Sequence, residues 1–296
     1  MAESVKTLAA LRRHIASLES VPAAQSHARV ETGYAPLDQA LDGGLARGRV
    51  HEFFAATEEM AAAAGLASIL ARLAAGEAPL LWLRTAAAGR SGGMLYGPGL
   101  AALGIDPSRL LIGVMVDDAM LLRAAVDALR CPALGSLVVE LRGPAPLLDL
   151  TASRRLALAA EASGVTAFML RVGGDPVPSA ADTRWRVAAA PSPTLPGGGP
   201  GRSAFDLYLM RRRAGRDGLG WRLVWNNGLG MFEQSGGGRD ERHDLGKGAW
   251  EQDAWERNGS GQDAGGKNGA GRDRQAPLSG VVVPVPADRP AADRAA

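Results

Sequence analysis

The chain has one cysteine, Cys131, in 296 residues. A single thiol closes no intramolecular disulfide and builds no multi-cysteine metal site. Cys131 sits beside Pro132 with no histidine nearby to activate it, so a small core residue is its expected role. The four histidines, His14, His27, His51 and His243, lie far apart without HxxxH-type spacing, and no histidine metal site is expected. Lysine is scarce: Lys6, Lys247 and Lys267 are the only lysines among 33 basic residues. An Arg, Ala, Gly and Pro bias of this kind follows from GC-rich coding, so a net charge of +2 and a pI near 9.0 do not by themselves point to nucleic acid. Long apolar runs are missing as well. Met60 to Leu70 is Ala-rich, ends before Arg72 and is too short for a membrane span. Leu8 to Leu11 is followed at once by Arg12, Arg13 and His14 with no small-residue cleavage site, unlike a secretory signal. The expectation is a cytoplasmic chain with no membrane association.

Three regions differ in pattern. Within residues 1–30, Val5, Leu8, Leu11, Ile15 and Leu18 recur at helical spacing until Pro22, which predicts one amphipathic helix. Its apolar stripe needs a surface, in self-association or in partner docking. From 31 to 234, apolar runs alternate with helix formers, the pattern of an α/β fold with a mainly parallel central sheet. Val50 to Phe54, Leu80 to Arg84, Leu110 to Val114, Leu137 to Leu141 and Val165 to Arg171 read as buried strands. Ala61 to Ala75, Leu95 to Leu103, Met120 to Arg130 and Ala152 to Ser163 read as the helices between them. Beyond Arg171 the period falls to two in Thr183 to Ala189, Ser203 to Arg213 and Gly220 to Asn227, predicting antiparallel strands added at the C-terminal end of the core. Ala214 to Leu219 would join the last two as a hairpin. From 235 to 296 the composition becomes Gly, Asp, Arg, Asn and Gln without an apolar period before Val281, which predicts a disordered low-complexity tail.

Thr32-Gly33, Leu37-Asp38, Leu41-Asp42-Gly43-Gly44-Leu45 and Gly48-Arg49 before a strand resemble the segment that leads into the P-loop of RecA-type ATPases. There the strand is followed by GxxxxGK[ST], whose amides wrap phosphates while the Lys reaches the β and γ phosphates and the hydroxyl binds Mg²⁺. Here the strand runs into Ala55, Ala56, Thr57, Glu58, Glu59, Met60, Ala61 and Ala62. Ala61 takes the lysine position, Ala62 the hydroxyl position, and Met60 replaces a glycine. Glu58 and Glu59 would repel a triphosphate, although they suit the start of the next helix. The reading is a degenerate P-loop that binds no nucleotide cofactor. Glu140 ends its strand near where RecA-like proteins carry a Mg²⁺-holding acid, but without a phosphate cradle it has nothing to coordinate. No carboxylate follows Leu81-Trp82-Leu83, and no serine sits in a GxSxG elbow. A non-enzymatic protein is expected.

Further strings resemble one family. His51-Glu52-Phe53-Phe54, Leu81-Trp82-Leu83-Arg84, Leu95-Tyr96-Gly97-Pro98-Gly99-Leu100 with Leu103-Gly104-Ile105-Asp106 and Arg109-Leu110-Leu111, Thr151 to Leu156 with Ala159 to Gly164, and Ala181 with Thr183 to Val187 are similar in order to ImuA, the inducible-mutagenesis accessory family of bacteria. The resemblance runs from about Thr32 to about Phe232. It implies a RecA-like core without recombinase output, acting in the DNA-damage (SOS) response. The implied partners are an ImuB-like inactive Y-family polymerase homologue and an error-prone replicative-type polymerase subunit in translesion synthesis. A weak DNA-dependent ATPase or recombinase-like DNA-binding filament protein is the alternative, and the P-loop is the feature that separates the two.

Between Arg171 and Phe232 there are nine arginines and four aspartates, an excess of five positive charges. Arg184, Arg186, Arg211, Arg212, Arg213 and Arg222 are the residues expected on a DNA or partner surface. In a regular strand Arg211 and Arg213 would share a side with Leu207 and Leu209, and Arg212 would take the other. A solvated hairpin in an Arg-biased chain remains the other reading. Trp185, Trp221 and Trp225 are expected in the core rather than as base-stacking platforms.

Overall fold

The computed structural model describes residues 28–192, 199 and 201–234. The amphipathic segment expected in residues 5–18 and the tail expected from 235 lie outside the described residues. A two-stranded ribbon, β1 (Arg29–Val30) and β2 (Leu45–Ala46), brackets helix α1 (Ala35–Ala40). The chain then runs through β3 (Val50–Ala55), α2 (Met60–Ala75), β4 (Leu80–Thr85), α3 (Ala86–Gly92), α4 (Gly97–Ala102), β5 (Leu110–Met115) and α5 (Asp118–Leu129). It continues with β6 (Ser136–Arg142), α6 (Leu150–Ser163), β7 (Thr166–Val172), β8 (Thr183–Ala189), β9 (Ala204–Arg212), β10 (Leu219–Asn226) and β11 (Met231–Gln234).

One nine-stranded sheet carries the fold, in the order β11-β10-β9-β8-β3-β7-β6-β4-β5. The strands from β8 to β5 in that order run parallel, and β9, β10 and β11 are antiparallel additions. The fold is therefore the α/β architecture that the apolar pattern predicts. Side chains alternate across each strand, so β3 sends His51, Phe53 and Ala55 to one face and Val50, Glu52 and Phe54 to the other. On the first face Phe53, Phe168 and Trp82 pack under Ala63, Leu66, Ala67 and Leu70 of α2. On the second, Leu137, Val139 and Met169 pack under Leu121 and Ala125 of α5 and Leu156 and Ala160 of α6. Two aspartates start the helices of that second face. Asp117 accepts from Met120 N–H and Asp149 from Ala152 N–H, each at 2.7 Å, which satisfies amides that the first turn leaves free.

The segment before β3 is a brace. Asp38 accepts from Thr32 N–H (2.9 Å), Thr32 Oγ1–H (2.8 Å) and Gly33 N–H (3.0 Å), and Thr32 O accepts from Phe232 N–H at 2.9 Å. Gly33 has φ +82, and a Cβ there would lie 2.3 Å from Met231 Cβ. The Thr32-Gly33 and Asp38 strings thus fasten the last antiparallel strand to the start of the core.

Three expectations are corrected. Leu110 to Val114 is continuously apolar, as buried strands are, yet among the described residues it forms the outermost strand and pairs only with β4. Cys131 is exposed in the turn after α5 rather than in the core, because that turn leads over the surface towards β6. The helix expected over Leu95 to Leu103 is shortened to α4, and α3 precedes it, capped by the Thr85 hydroxyl accepting from Ala88 N–H at 3.1 Å.

His51 is fully buried, with Nδ1 2.7 Å from Thr183 Oγ1 and Nε2 2.9 Å from Ala46 O. The carbonyl requires a proton on Nε2, so Nδ1 accepts from the Thr183 hydroxyl, which in turn accepts from Trp185 Nε1 at 2.6 Å. Burial holds the imidazole pKa below its ordinary value, with Asp182 opposing the shift. The unfolded chain then binds a proton that the native chain does not, and stability falls as pH drops below about 6.5. Melting temperatures from pH 7.5 to 5.5 are expected to decline less steeply in His51→Gln than in the parent.

Candidate functional site

The site indicated by sequence is the junction from β3 to α2, and its backbone is closed on itself. Glu59 N–H donates to Ala56 O at 3.1 Å and Met60 N–H to Thr57 O at 3.4 Å. These amides serve the turn, where a phosphate loop would aim them at an anion. Glu59 precedes the helix and its carboxylate accepts from Ala189 N–H at 2.7 Å, pinning the junction to the end of β8. Glu58 is exposed. Met60, Ala61 and Ala62 open the helix and line a cavity of about 890 Å³. Tyr96, Phe205 and Trp225 are among its other walls.

Glu140 reaches the same face of the sheet from the end of β6, opposite Arg84 in the ladder with β4. Its carboxylate is 4% exposed and accepts from Trp82 Nε1 (3.1 Å), Arg84 Nη2 (3.1 Å) and Arg142 Nε (3.2 Å). Arg84 also donates to Gly93 O at 2.9 Å and Ala88 O at 3.0 Å, and Arg142 to Ser91 Oγ at 3.3 Å. Two guanidinium groups therefore occupy the position where a metal-binding carboxylate would need a cation. Among the described residues no group of three or more His, Cys, Asp and Glu could hold a metal ion. Sequence reading placed Glu140 but not its partners. The only signal was an arginine, Arg84, near the end of a buried strand.

A second buried charge cluster lies on the opposite face. Glu52 Oε2 accepts from Arg184 Nε at 2.8 Å and from the Ser179 hydroxyl at 2.9 Å. Phe54 lies between two guanidiniums, with Arg171 5.4 Å and Arg184 5.1 Å from its ring centroid. Arg171 is 1% exposed, and its Nε and Nη1 have no hydrogen-bond partner among the described residues. Burial pushes its guanidinium below the ordinary value, with Glu52 opposing.

The six arginines expected on one surface are placed in different ways. Arg184 is buried against Glu52, which removes it from any exposed face. Arg222 stands opposite Asp206 across β9 and β10 and forms a two-pronged pair with it, both contacts 2.7 Å. That hydrogen bonding raises its pKa. Arg186 is half-buried opposite Tyr208. Arg212 reaches back to α1, donating to Ala40 O at 2.8 Å and Asp42 Oδ2 at 2.6 Å. Only Arg211 and Arg213 of the six are exposed.

Their direction differs from that of a regular strand. Arg184 and Trp185 are consecutive on β8, yet they pair with Arg211 and Leu209 across a bulge that leaves Met210 over. The extra residue reverses the alternation, so Arg211 and Arg213 turn away from Leu207 and Leu209. They line a groove of about 510 Å³ against α6 with Arg154, Leu150 and Leu158. Glu161 in the same groove is taken by Arg49 at 2.7 Å. Arg212→Ala is therefore expected to lose roughly 1.5–3 kcal/mol through its charged hydrogen bonds, whereas Arg211→Ala and Arg213→Ala leave stability unchanged; urea titration separates them. Trp185 and Trp225 are buried, and Trp221 packs with its ring 6.0 Å from that of Trp185, so the tryptophans build the core.

No helix among the described residues is long and apolar enough to cross a membrane. No family model matches the chain, and no curated protein matches it. Among solved structures, the chain is similar to the crystal structure of the RadB recombinase at 15% identity, over 69% of this chain and 99% of that one, with a TM-score of 0.45.

Proposed function

We propose that this chain is a non-catalytic adaptor of the ImuA type, a RecA-like scaffold kept for its surfaces, acting in the cytoplasm in DNA-damage-induced mutagenesis. Its partners in this reading are an ImuB-like inactive Y-family polymerase homologue and an error-prone replicative-type polymerase subunit, with DNA contact and self-association as further uses. The observation that carries the reading is the state of the β3 to α2 junction. The amides of Glu59 and Met60, the Glu59 carboxylate and the nearby Glu140 are satisfied by protein groups, and Met60, Ala61 and Ala62 stand where phosphate-binding residues would be needed. The residue strings from Thr32 to Phe232 support the family.

Isothermal titration of the protein with ATP and Mg²⁺ tests it. No saturable heat is expected in the micromolar range. A Mg²⁺-dependent signal that disappears when Thr57 to Ala62 are changed would overturn the adaptor reading in favour of a weak ATPase. The exposed pair Arg211 and Arg213 is the part of the arginine set available to an anionic partner. If DNA is that partner, Arg211→Ala with Arg213→Ala weakens binding equally for all sequences and flattens its salt dependence, because released counterions are lost with each contact. If an ImuB-like protein is the partner, DNA affinity stays and co-purification is lost.

A further inference from the structure

Among the described residues, the outer strand β5 is an open edge without the usual protection. It pairs on one side only, with β4, and every residue from Leu110 to Val116 is apolar or glycine. Leu111 is 55% exposed, Ile112 50%, Val114 58% and Val116 73%, so apolar side chains project from both faces of the strand. Sheet proteins blunt such edges with charge, proline, a bulge or a covering segment. Arg109 and Asp117 flank this edge, but nothing within it provides that protection.

We propose that the segment Val281–Pro286 of the same chain adds to this edge as a tenth strand. Its sequence, Val281-Val282-Val283-Pro284-Val285-Pro286, combines β-branched residues with two prolines spaced by two. Along an extended strand the N–H and C=O groups of alternate residues point to the same side. Pro284 and Pro286 therefore share a side with Val282, while Val281, Val283 and Val285 present their amides to the other. With the valines turned towards β5, both prolines lie on the outer side, where a missing N–H is tolerated and stops further strand addition. The segment fits one side of a sheet edge and would terminate that edge. The apolar stripe of residues 5–18 has helical spacing, which does not suit a ladder.

The connection reaches. Strands β11 and β5 occupy opposite edges of the nine-stranded sheet, about 38 Å apart at about 4.8 Å per strand. Residues 235–280 are a Gly-rich link of 46 residues, and a coil of that length has a root-mean-square span of about 37 Å. A tethered segment whose span matches the gap is held at a high effective concentration, which favours its own edge over that of a second copy.

Hydrogen exchange of peptides covering 110–116 in the full chain, read at two protein concentrations, tests the proposal. Val283→Pro removes an inward amide and is expected to speed exchange of these peptides by about an order of magnitude or more. Val282→Pro removes an outward amide and is expected to leave exchange unchanged. The two substitutions are alike in size and distance from the described fold, so a difference between them reads hydrogen-bond side rather than general damage. Equal exchange in the parent and both variants, or equal loss in both variants, overturns the proposal. Protection that disappears on dilution, together with a dimer in sedimentation, overturns it in favour of a second copy covering the edge.

Discussion

Glu140→Ala is expected to destabilise the folded chain by about 3–5 kcal/mol, the range for removing one partner of a buried ion pair. The carboxylate is 4% exposed and holds Arg84, Arg142 and the Trp82 indole. Removing it leaves Arg84, itself 5% exposed, with only the Ala88 and Gly93 carbonyls, and leaves the indole N–H without an acceptor. Glu140→Gln keeps an oxygen for one donor and is expected to fall between parent and Ala. Urea unfolding checks this through a lower midpoint at unchanged m. The result also bears on function. A carboxylate reserved for a metal and nucleotide would be a strained, repelled group whose removal leaves stability the same or higher. An unchanged midpoint in Glu140→Ala would mean that the carboxylate is available to a ligand, and would weaken the adaptor reading.

The parts of this molecule that were legible in sequence depend on neighbours close in the chain or on burial from both faces. Strands β3, β6 and β7 are covered by helices on both sides, so they read as mostly apolar segments interrupted only by His51, Glu52, Glu140 and Arg171, and their bounds differ from the prediction by a residue or so. The same signature misled at β5, because an edge strand with apolar residues on both faces has the composition of a buried one. The loss of the phosphate loop could be read directly, since Met60, Ala61 and Ala62 occupy the positions where the chemistry requires other residues. Its structural consequence could not, because the amide that donates to the Glu59 carboxylate belongs to Ala189, 130 residues away. The arginines behaved similarly. A local excess of positive charge was visible, but Arg184 pairs with Glu52 across 132 residues and Arg212 with Asp42 across 170. Charge counted along the chain overstated the charge left on the surface. The bulge at Met210 has no sequence marker such as glycine, and it alone decides that Arg211 and Arg213 join α6 rather than the tryptophan side.

Arg184→Ala is accordingly expected to act as a core substitution, lowering stability by about 3–5 kcal/mol. The guanidinium contacts Glu52 at 2.8 Å and Val177 O at 2.7 Å and lies over Phe54. Its removal leaves Glu52, 2% exposed, with the Ser179 hydroxyl as its remaining hydrogen bond and strips packing from the ring. If the role of the pair is purely structural, replacing both members with residues of similar volume, Glu52→Met with Arg184→Met, should recover most of the loss, because a well-packed apolar pair avoids desolvating two charges. Glu52→Met alone should not recover it, since Arg184 and Arg171 would then both lie buried without their carboxylate. The parent, Glu52→Met, Arg184→Met and the double variant form a double-mutant cycle, and a double variant that recovers most of single losses of about 3–5 kcal/mol requires a coupling energy above about 3 kcal/mol. Urea midpoints of the parent, the two single variants and the double variant give that energy. A surface role makes the opposite demand: Arg184→Ala would fold with parental stability and lose DNA or partner binding, and the double variant would recover nothing. Binding assays read only on variants with parental midpoints then attribute any remaining loss to Arg211 and Arg213, the two exposed members of the set.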